Sequence, residues 1–431
     1  MFTYENGNRR RVVVTGMGMV SPLGNDLDSS WQAMMKGECG VERITRFDTT
    51  GFPCTVAAFV KDFDPLEYMD KRDARRMAPF LHFAVAAAHQ AVADAKLDFS
   101  LEDPTRIGIE IGSAIGGANV VEEQRLILEQ QGVKKVNPTA IPALLINMPG
   151  CFVAINFDIR GPVNASVTAC ATGISGIGEG MRRIVWGDAE VMLVGGTESA
   201  ITPLTIGAFG RLTALSRRND TPKRSITPFD ANRDGTVVGE GAGVMVLESL
   251  EHAQARGARI LAEVKGYALT CDAYHISSPR EDGASSARAM SNALKDGNVE
   301  PHEVDYIAAH GTGTPLNDAT ETKAIKTAFG EGAYNIAISS IKSMTGHTLG
   351  AAGAISAITA IKAMHEGVIP PTINLDTPDP ECDLDYVPNE PRRAEVNVAV
   401  INGFGFLTNR KGRKMREGYK VLVICDGGKK R

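Results

Sequence analysis

Cysteine is scarce in this 431-residue chain, with seven residues at positions 39, 54, 151, 170, 271, 382 and 425. The set is odd, widely spread and without a CxxC pair, which excludes a disulfide framework and reads as reduced thiols. No run of 18 apolar residues occurs, and the amino terminus MFTYENGNRRRVVVTG lacks the apolar stretch of a signal peptide. A soluble, cytoplasmic protein without membrane contact is expected. Positive charge is short overall: the formal net charge is −5, which argues against nucleic acid as a partner because phosphate binding needs a concentrated basic surface. Phosphate-loop and zincin signatures (GxxxxGKS/T and HExxH) are absent. Gly16-Met-Gly18 follows an apolar run, but Ser21 stands where a dinucleotide fingerprint needs its third glycine. A nicotinamide enzyme, an NTPase and a zinc protease lose their main support, and no cofactor or metal site is expected.

The chain exceeds the size at which a single core stops growing, so two associated units are expected. Strand-like runs (Arg11–Thr15, Arg106–Gly112, Val163–Thr168, Glu190–Val194) alternate with helical patterns at Pro79–Lys96 and Ala171–Trp186. The style repeats with strands at Ala262–Tyr267, Val304–Ala309 and Asn335–Ser339 and helices at Ala319–Phe329 and Gly350–His365. This alternation predicts an α/β fold. The pattern restarts near Arg256-Gly257 without a low-complexity linker, giving units 1–257 and 258–406 packed together. The last segment, 407–431, is an atypical basic tail in which nine Lys or Arg stand against two acids.

Candidate chemistry sits in turns between strands and helices. In Val163-Asn-Ala-Ser-Val-Thr-Ala-Cys170-Ala-Thr-Gly-Ile-Ser-Gly-Ile-Gly a strand enters a turn of small residues and a helix follows. Cys170 is thereby placed at a helix amino terminus, where free N–H groups and the dipole favour the thiolate. A small buried core cysteine is the competing reading, preferred for the other six. His310 ends an apolar strand ahead of Gly311-Thr-Gly-Thr-Pro315, and His347 lies in Lys342-Ser-Met-Thr-Gly-His347-Thr-Leu-Gly, again between strand and helix. Such turns are where α/β proteins build sites. A thiolate with two imidazoles able to donate to a developing oxyanion follows, with Lys342 holding the field positive and Glu321 able to pair with it. His82 and His89, within an Ala-rich helix, read as packing or surface residues.

These residues resemble the elongating β-ketoacyl synthases of the thiolase superfamily. The likeness runs from Arg11-Val-Val-Val-Thr-Gly-Met-Gly-Met-Val-Ser-Pro-Leu-Gly24 to Asn402-Gly-Phe-Gly-Phe406. Between them, in order, stand Thr168-Ala-Cys-Ala-Thr-Gly, Arg233-Asp-Gly-Thr-Val-Val-Gly-Glu-Gly-Ala-Gly, the His310 and Lys342 motifs, and Pro370-Pro-Thr-Ile-Asn-Leu. The resemblance implies a five-layered α/β/α/β/α thiolase-like fold of two related halves, a homodimer, and a decarboxylative Claisen condensation of acyl and malonyl groups carried on acyl carrier protein. It makes Cys170 the acylated nucleophile and His310 and His347 the donors to the enolate oxygen, with Lys342 catalytic and Glu321 and Asp318 supporting. It assigns the oxyanion hole to the backbone N–H groups of Cys170 and Phe406, and the malonyl gate to Phe406. Thr312 and Thr314 would contact the pantetheine arm, Ile115 would shape the acyl pocket, and Phe404 would contact substrate. An acidic carrier protein would dock on Arg72, Arg75 and Arg76, beside Lys71, and on Lys134 and Lys135.

Two departures from the family pattern stand out. Ser356 occupies a position where the family commonly has Glu, which removes a carboxylate from the network around the histidines and lysine. After Phe406 the family continues Gly-Gly-x-Asn and a final apolar strand, whereas this chain reads Leu407-Thr-Asn-Arg-Lys-Gly-Arg-Lys. The tail reads as an altered frame or a divergent terminus, with Lys420-Val-Leu-Val-Ile-Cys425 supplying a substitute strand. The alternatives to a fatty-acid synthase are a polyketide-type ketosynthase and a non-catalytic partner of chain-length-factor type, which typically lacks the nucleophile present here.

Overall fold

The computed structural model describes residues 9–273, 280–405 and 418–427. Phe406, which was expected in the site, lies outside these residues. Long apolar segments that bury both faces, such as Val12–Val20, fold as the central strands of a ten-stranded sheet. The sheet consists of two leaves with one topology. In the first, β1 (Val12–Val20), β2 (Ile107–Gly112), β3 (Val163–Asn164), β4 (Val191–Glu198) and β5 (Gly241–Ser249) lie in the spatial order β3-β2-β4-β5-β1. In the second, β6 (Ala262–Cys271), β7 (Tyr306–Ala308), β8 (Ala337–Ser339), β9 (Val398–Gly405) and β10 (Gly418–Asp426) repeat it as β8-β7-β9-β10-β6. The outer three strands of each leaf run parallel and the inner pairings are antiparallel. The leaves join where β1 meets β6, through Val13↔Glu263 and Val14↔Ala262 alone.

The helices repeat as well. In the first half α1 (Pro79–Ala95) and α2 (Met148–Phe157) precede α3 (Thr172–Val185); in the second α4 (Ala284–Gly297) and α5 (Pro315–Phe329) precede α6 (Ala352–Glu366). α1 covers β1 and β5 on one outer face, and α4 covers β6 and β10 on the other. α3 and α6 touch strands of both leaves and each other, so they form the middle layer. The result is the expected α/β/α/β/α stack. A helix held between two sheets has no wet face, and α6 is buried without interruption from Ala352 to Ile361. α3 solves the same problem with glycine: a Cβ at Gly176 would lie 2.5 Å from the Gly195 carbonyl, and one at Gly173 would lie 2.5 Å from the Ala354 nitrogen.

One local outcome differs from expectation, and another, the substitute strand expected over Lys420–Cys425, forms and is longer than expected. The strand expected over Val163–Thr168 stops at Asn164, because the following polar side chains leave the ladder for a buried carboxylate. Asn164 Nδ2 and Ser166 Oγ donate to Glu110 at 3.0 and 2.9 Å. The stretch Gly418–Asp426 of the basic tail is the penultimate strand of the second leaf, paired along its length with β9 and β6. Among the described residues no helix is long and apolar enough to cross a membrane.

A buried charge cluster joins β5 to the helix after it. Glu248 accepts from Arg256 Nε at 2.8 Å and from His252 Nδ1 at 2.6 Å, while Glu102 meets His252 Nε2 at 2.8 Å. Desolvation works against the Glu248 carboxylate, but Arg256, His252 and Thr15 hold it down at about 2, and Glu248 with Glu102 raises His252. The histidine contribution is therefore full below the ordinary imidazole value and is lost as pH rises through its raised folded value. A His252→Gln variant should be less stable than wild type at pH 6, with the gap in urea midpoint narrowing as pH rises. A gap that is constant with pH would contradict this.

Candidate active site

The turn before α3 forces the chain through a strained residue. Ala169 takes φ +51°, which β-carbon sterics make uncommon for a residue other than glycine. Thr168 N–H donates to Thr172 Oγ1 at 3.0 Å, and the Thr168 and Ser175 hydroxyls pair at 2.7 Å, tying the turn to the first turn of α3. Cys170 sits in the short 3-10 turn Ala169–Ala171 that runs directly into α3, so its sulfur stands at a helix amino terminus, 7% exposed.

The second half repeats this turn. The 3-10 turn Leu349–Ala351 leads into α6, Leu349 takes φ +45°, and Gly350 occupies the place of Cys170. The two turns pack together. The N–H of Gly350 points to a carboxylate from the other half, Glu198 Oε2, at 3.1 Å. Glu198 also accepts from Ser113 Oγ at 2.8 Å, Ala114 N at 2.9 Å and Ile115 N at 3.3 Å. Burial pushes this fully enclosed carboxyl up to about 7 in spite of those donors. Glu198 thus fixes the Ile115 loop against the turn that mirrors the nucleophile. It is absent from the expected site residues; its one signal in sequence is a charge closing the fully buried strand Val191–Glu198.

Cys170, His310, His347, Thr312 and Thr314 all line one cavity, together with Thr236, Asn317, Leu349 and several apolar side chains. The fold brings these together from both halves. The rings of His310 and His347 are 5.4 Å apart and nearly perpendicular, at 83°. Both imidazoles are held well below their ordinary value, His310 by burial, Lys342 and His347, and His347 by burial and Lys342. They are therefore neutral at pH 7, each able to donate one N–H without carrying charge. Burial brings Lys342 down to about 8, opposed by Glu321, Cys170 and Asp318.

Glu321 does not make the direct ion pair with Lys342 that was considered from sequence; no carboxylate of a described residue comes within 4.0 Å of that ammonium. Its oxygens instead accept from His310 N and Gly311 N, each at 2.8 Å, and from Asn402 Nδ2 at 2.9 Å. One turn earlier on α5, Asp318 accepts from Thr312 N at 3.1 Å, Gly313 N at 3.2 Å and Phe229 N at 2.8 Å. Two buried carboxylates three residues apart thus hold the His310–Gly313 backbone, where Gly313 needs φ +75°. Arg233 closes the outside of this loop, donating to the Thr314 and Pro315 carbonyls at 3.3 and 3.0 Å.

Other expected residues fall as follows. Phe404 is buried beside His310 and Tyr419, with ring centres 5.3 and 4.9 Å away. Ile115 packs with Ala114 against the apolar cluster that includes Cys170. Ser356 is buried in α6. Arg72 belongs to the short exposed helix Lys71–Ala74, with Arg75 and Arg76 next to it, and Lys134 and Lys135 belong to the exposed turn Val133–Lys135. None of these five cations is paired with a carboxylate of a described residue, unlike Arg125 and Arg160, each of which is.

This geometry is that of a condensing enzyme, and the comparisons agree. Residues 9–253 match the model of the beta-ketoacyl synthase N-terminal domain, and residues 261–376 match the C-terminal domain. The chain belongs to the β-ketoacyl synthase family. A Synechocystis protein named 3-oxoacyl-(acyl-carrier-protein) synthase 2 is 51% identical over 401 residues, 93% of this chain and 96% of that protein. A Vibrio harveyi protein of the same name is 47% identical over 400 residues, 93% of this chain and 96% of its own length. Among solved structures, a type II polyketide ketosynthase in complex with its acyl-carrier protein superposes with TM-score 0.88 at 35% identity, covering 97% of this chain and 100% of that one.

Proposed function

We propose that this chain condenses an acyl group and a malonyl group, both carried on acyl carrier protein, into a 3-oxoacyl chain two carbons longer in fatty-acid elongation. The observation that carries the reading is the single cavity lined by a helix-terminal cysteine and two neutral histidines. The Cys170 sulfur attacks the acyl thioester carbonyl, the carrier thiol leaves with the proton, and a thioester forms on the enzyme. Malonyl thioester then loses carbon dioxide; the electron pair of the broken C–C bond passes into an enolate, whose oxygen is met by N–H donors on His310 and His347. The enolate carbon attacks the Cys170 thioester and expels the thiolate. Neutral imidazoles suit this role because they stabilise the enolate without protonating it outright.

The identity of about one half to relatives named synthase 2, against 35% to the polyketide ketosynthase, favours fatty-acid over polyketide chemistry. The two units are proposed to divide at 257/258, nucleophile in the first and histidines in the second. The protein is proposed to act in the cytoplasm as a homodimer, which the exposed edge strand Val163–Asn164 and its apolar neighbours Val167 and Ile155 support. Sedimentation at micromolar concentration tests the dimer.

Docking of an acidic carrier on the unpaired cations has a kinetic signature. The double variant Arg72→Glu/Arg76→Glu should raise KM for acyl carrier protein roughly tenfold, with a weakened salt dependence. Its effect on acyl pantetheine, which has no protein to dock, should be smaller. Equal losses on both substrates would place these arginines outside the docking surface. The activity itself is tested by incubating the protein with acyl and malonyl carrier protein and looking for the 3-oxoacyl product by mass spectrometry.

A further inference from the structure

The segment that carries His347 leans on a hairpin formed by Val41–Arg43 and Val56–Ala58. The imidazole Nδ1 of His347 is buried and meets no hydrogen-bonding partner among the described residues. The ring is therefore aimed by its backbone and by packing. That backbone is bracketed: its N–H donates to the Val237 carbonyl at 2.7 Å, and its carbonyl accepts from Gly239 N at 2.9 Å. On its other edge the same stretch pairs with the hairpin. Ala58 N donates to the Val238 carbonyl at 2.9 Å, and Glu240 N donates to the Ala58 carbonyl at 3.2 Å. The seam is tight, since a Cβ on Gly346, which takes φ +64°, would lie 2.8 Å from Ala58 Cβ.

One ion pair fastens this seam. Glu240 is fully buried; its Oε2 accepts from Arg46 Nη1 at 2.9 Å and its Oε1 from Arg46 Nη2 at 2.6 Å, with Val60 N adding a bond to Oε1 at 3.1 Å. Arg46 comes from the chain between the two hairpin strands and lays its guanidinium 4.4 Å above the centre of the Phe59 ring. Burial pushes the Glu240 carboxyl up, and Arg46 together with the Val60 N–H opposes this. A two-pronged pair fixes orientation as well as distance. Removing the arginine strands a charge in an enclosed place, which displaces the chain that bears it.

We infer that the Arg46–Glu240 pair positions His347 for decarboxylation of the malonyl group, by locking the Val237–Gly239 backbone that brackets it. This rests on the proposed role of His347 as a donor to the enolate oxygen. Neither Arg46 nor Glu240 lines the cavity, so both are positioning residues. Cys170 depends on them less, because its turn is tied to α3 through Thr168, Thr172 and Ser175. The pair thus serves one half-reaction more than the other.

Arg46→Met removes the guanidinium and keeps a flexible apolar stem over Phe59. Release of labelled carbon dioxide from malonyl carrier protein should fall about tenfold in kcat with little change in KM, while the rate of Cys170 acylation, read by intact mass, stays within about twofold. The double variant Arg46→Met/Glu240→Gln leaves no stranded charge and should recover decarboxylation to within about threefold of wild type. Should Arg46→Met not fold, Arg46→Lys, which keeps the charge on a single prong, carries the same comparison with an expected loss of about threefold. Equal losses in the two half-reactions, unchanged decarboxylation in a folded variant, or no recovery in the double variant would overturn the inference. If wild type neither takes an acyl group on Cys170 nor decarboxylates malonyl carrier protein, the activity reading itself has failed and the inference falls with it.

Discussion

A Cys170→Ala variant should lose at least about a thousandfold in condensation rate, since without the sulfur no acyl-enzyme forms and the remaining groups cannot replace a covalent step. The same variant should still release carbon dioxide from malonyl carrier protein, because His310 and His347 are positioned by other elements. His310 is held through its backbone by Glu321, and the His347 backbone pairs with Val237, where its N–H donates to the Val237 carbonyl at 2.7 Å. The complementary variant, His347→Ala, should accept acyl groups on Cys170 but fail to decarboxylate malonyl groups. Acyl-enzyme is read by intact mass and decarboxylation by release of labelled carbon dioxide. Loss of both half-reactions in either variant, with an unchanged urea midpoint, would show that the cavity does not divide the labour in this way.

Removing Glu198 should have a large structural effect near the site. Glu198→Ala strands the Ser113 hydroxyl and the N–H groups of Ala114, Ile115 and Gly350 in an enclosed space. At about 1 kcal/mol or more for each unsatisfied group, partly relieved by water entering the space, the expected loss is about 3 kcal/mol. It should appear in the urea midpoint, with a changed acyl-chain profile because the Ile115 loop loses its anchor. Glu198→Gln isolates the charge. The folded carboxyl titrates at about 7, above the carboxylate value of 4.5, so between those values the folded protein holds a proton that the unfolded chain has released. The stability of wild type relative to Glu198→Gln should thus be greatest below pH 4.5 and decline as pH rises to 7. A difference that grows over that interval would refute the assignment.

How far the sequence could be read varied with the kind of signal. The helices at Pro79–Ala95 and Thr172–Val185 were legible from apolar spacing and turn chemistry, and so was the placing of Cys170, because a run of small residues between a strand and a helix is a local pattern. β5 and β9 were harder: Gly241–Ser249 and Val398–Gly405 are fully buried and rich in glycine or alanine, which carries no alternation. α4 carries a weak signal for a related reason: apart from Met290 and Leu294 its buried face is made of Ala, Ser and Gly. The supporting carboxylates were legible as residues but not in their action. Glu321 and Asp318 act on backbone N–H groups 5 to 11 positions earlier, and main-chain donors are present at every position of every sequence.

Two things were determined by the sequence alone: the family, through long motifs in fixed order, and the residue types able to form a thioester and steady an enolate. The tertiary structure decided how they meet. The two histidines lie 140 and 177 positions beyond Cys170 in the chain, and only the repeat of one topology in two leaves brings the turns before α3 and α6 into contact. That contact gives the two turns opposite roles, one holding a thiol and the other a glycine whose N–H is taken by Glu198. It also explains why charge along the chain says little about the site: burial, a property of three dimensions, is what keeps both imidazoles neutral and brings Lys342 down to about 8.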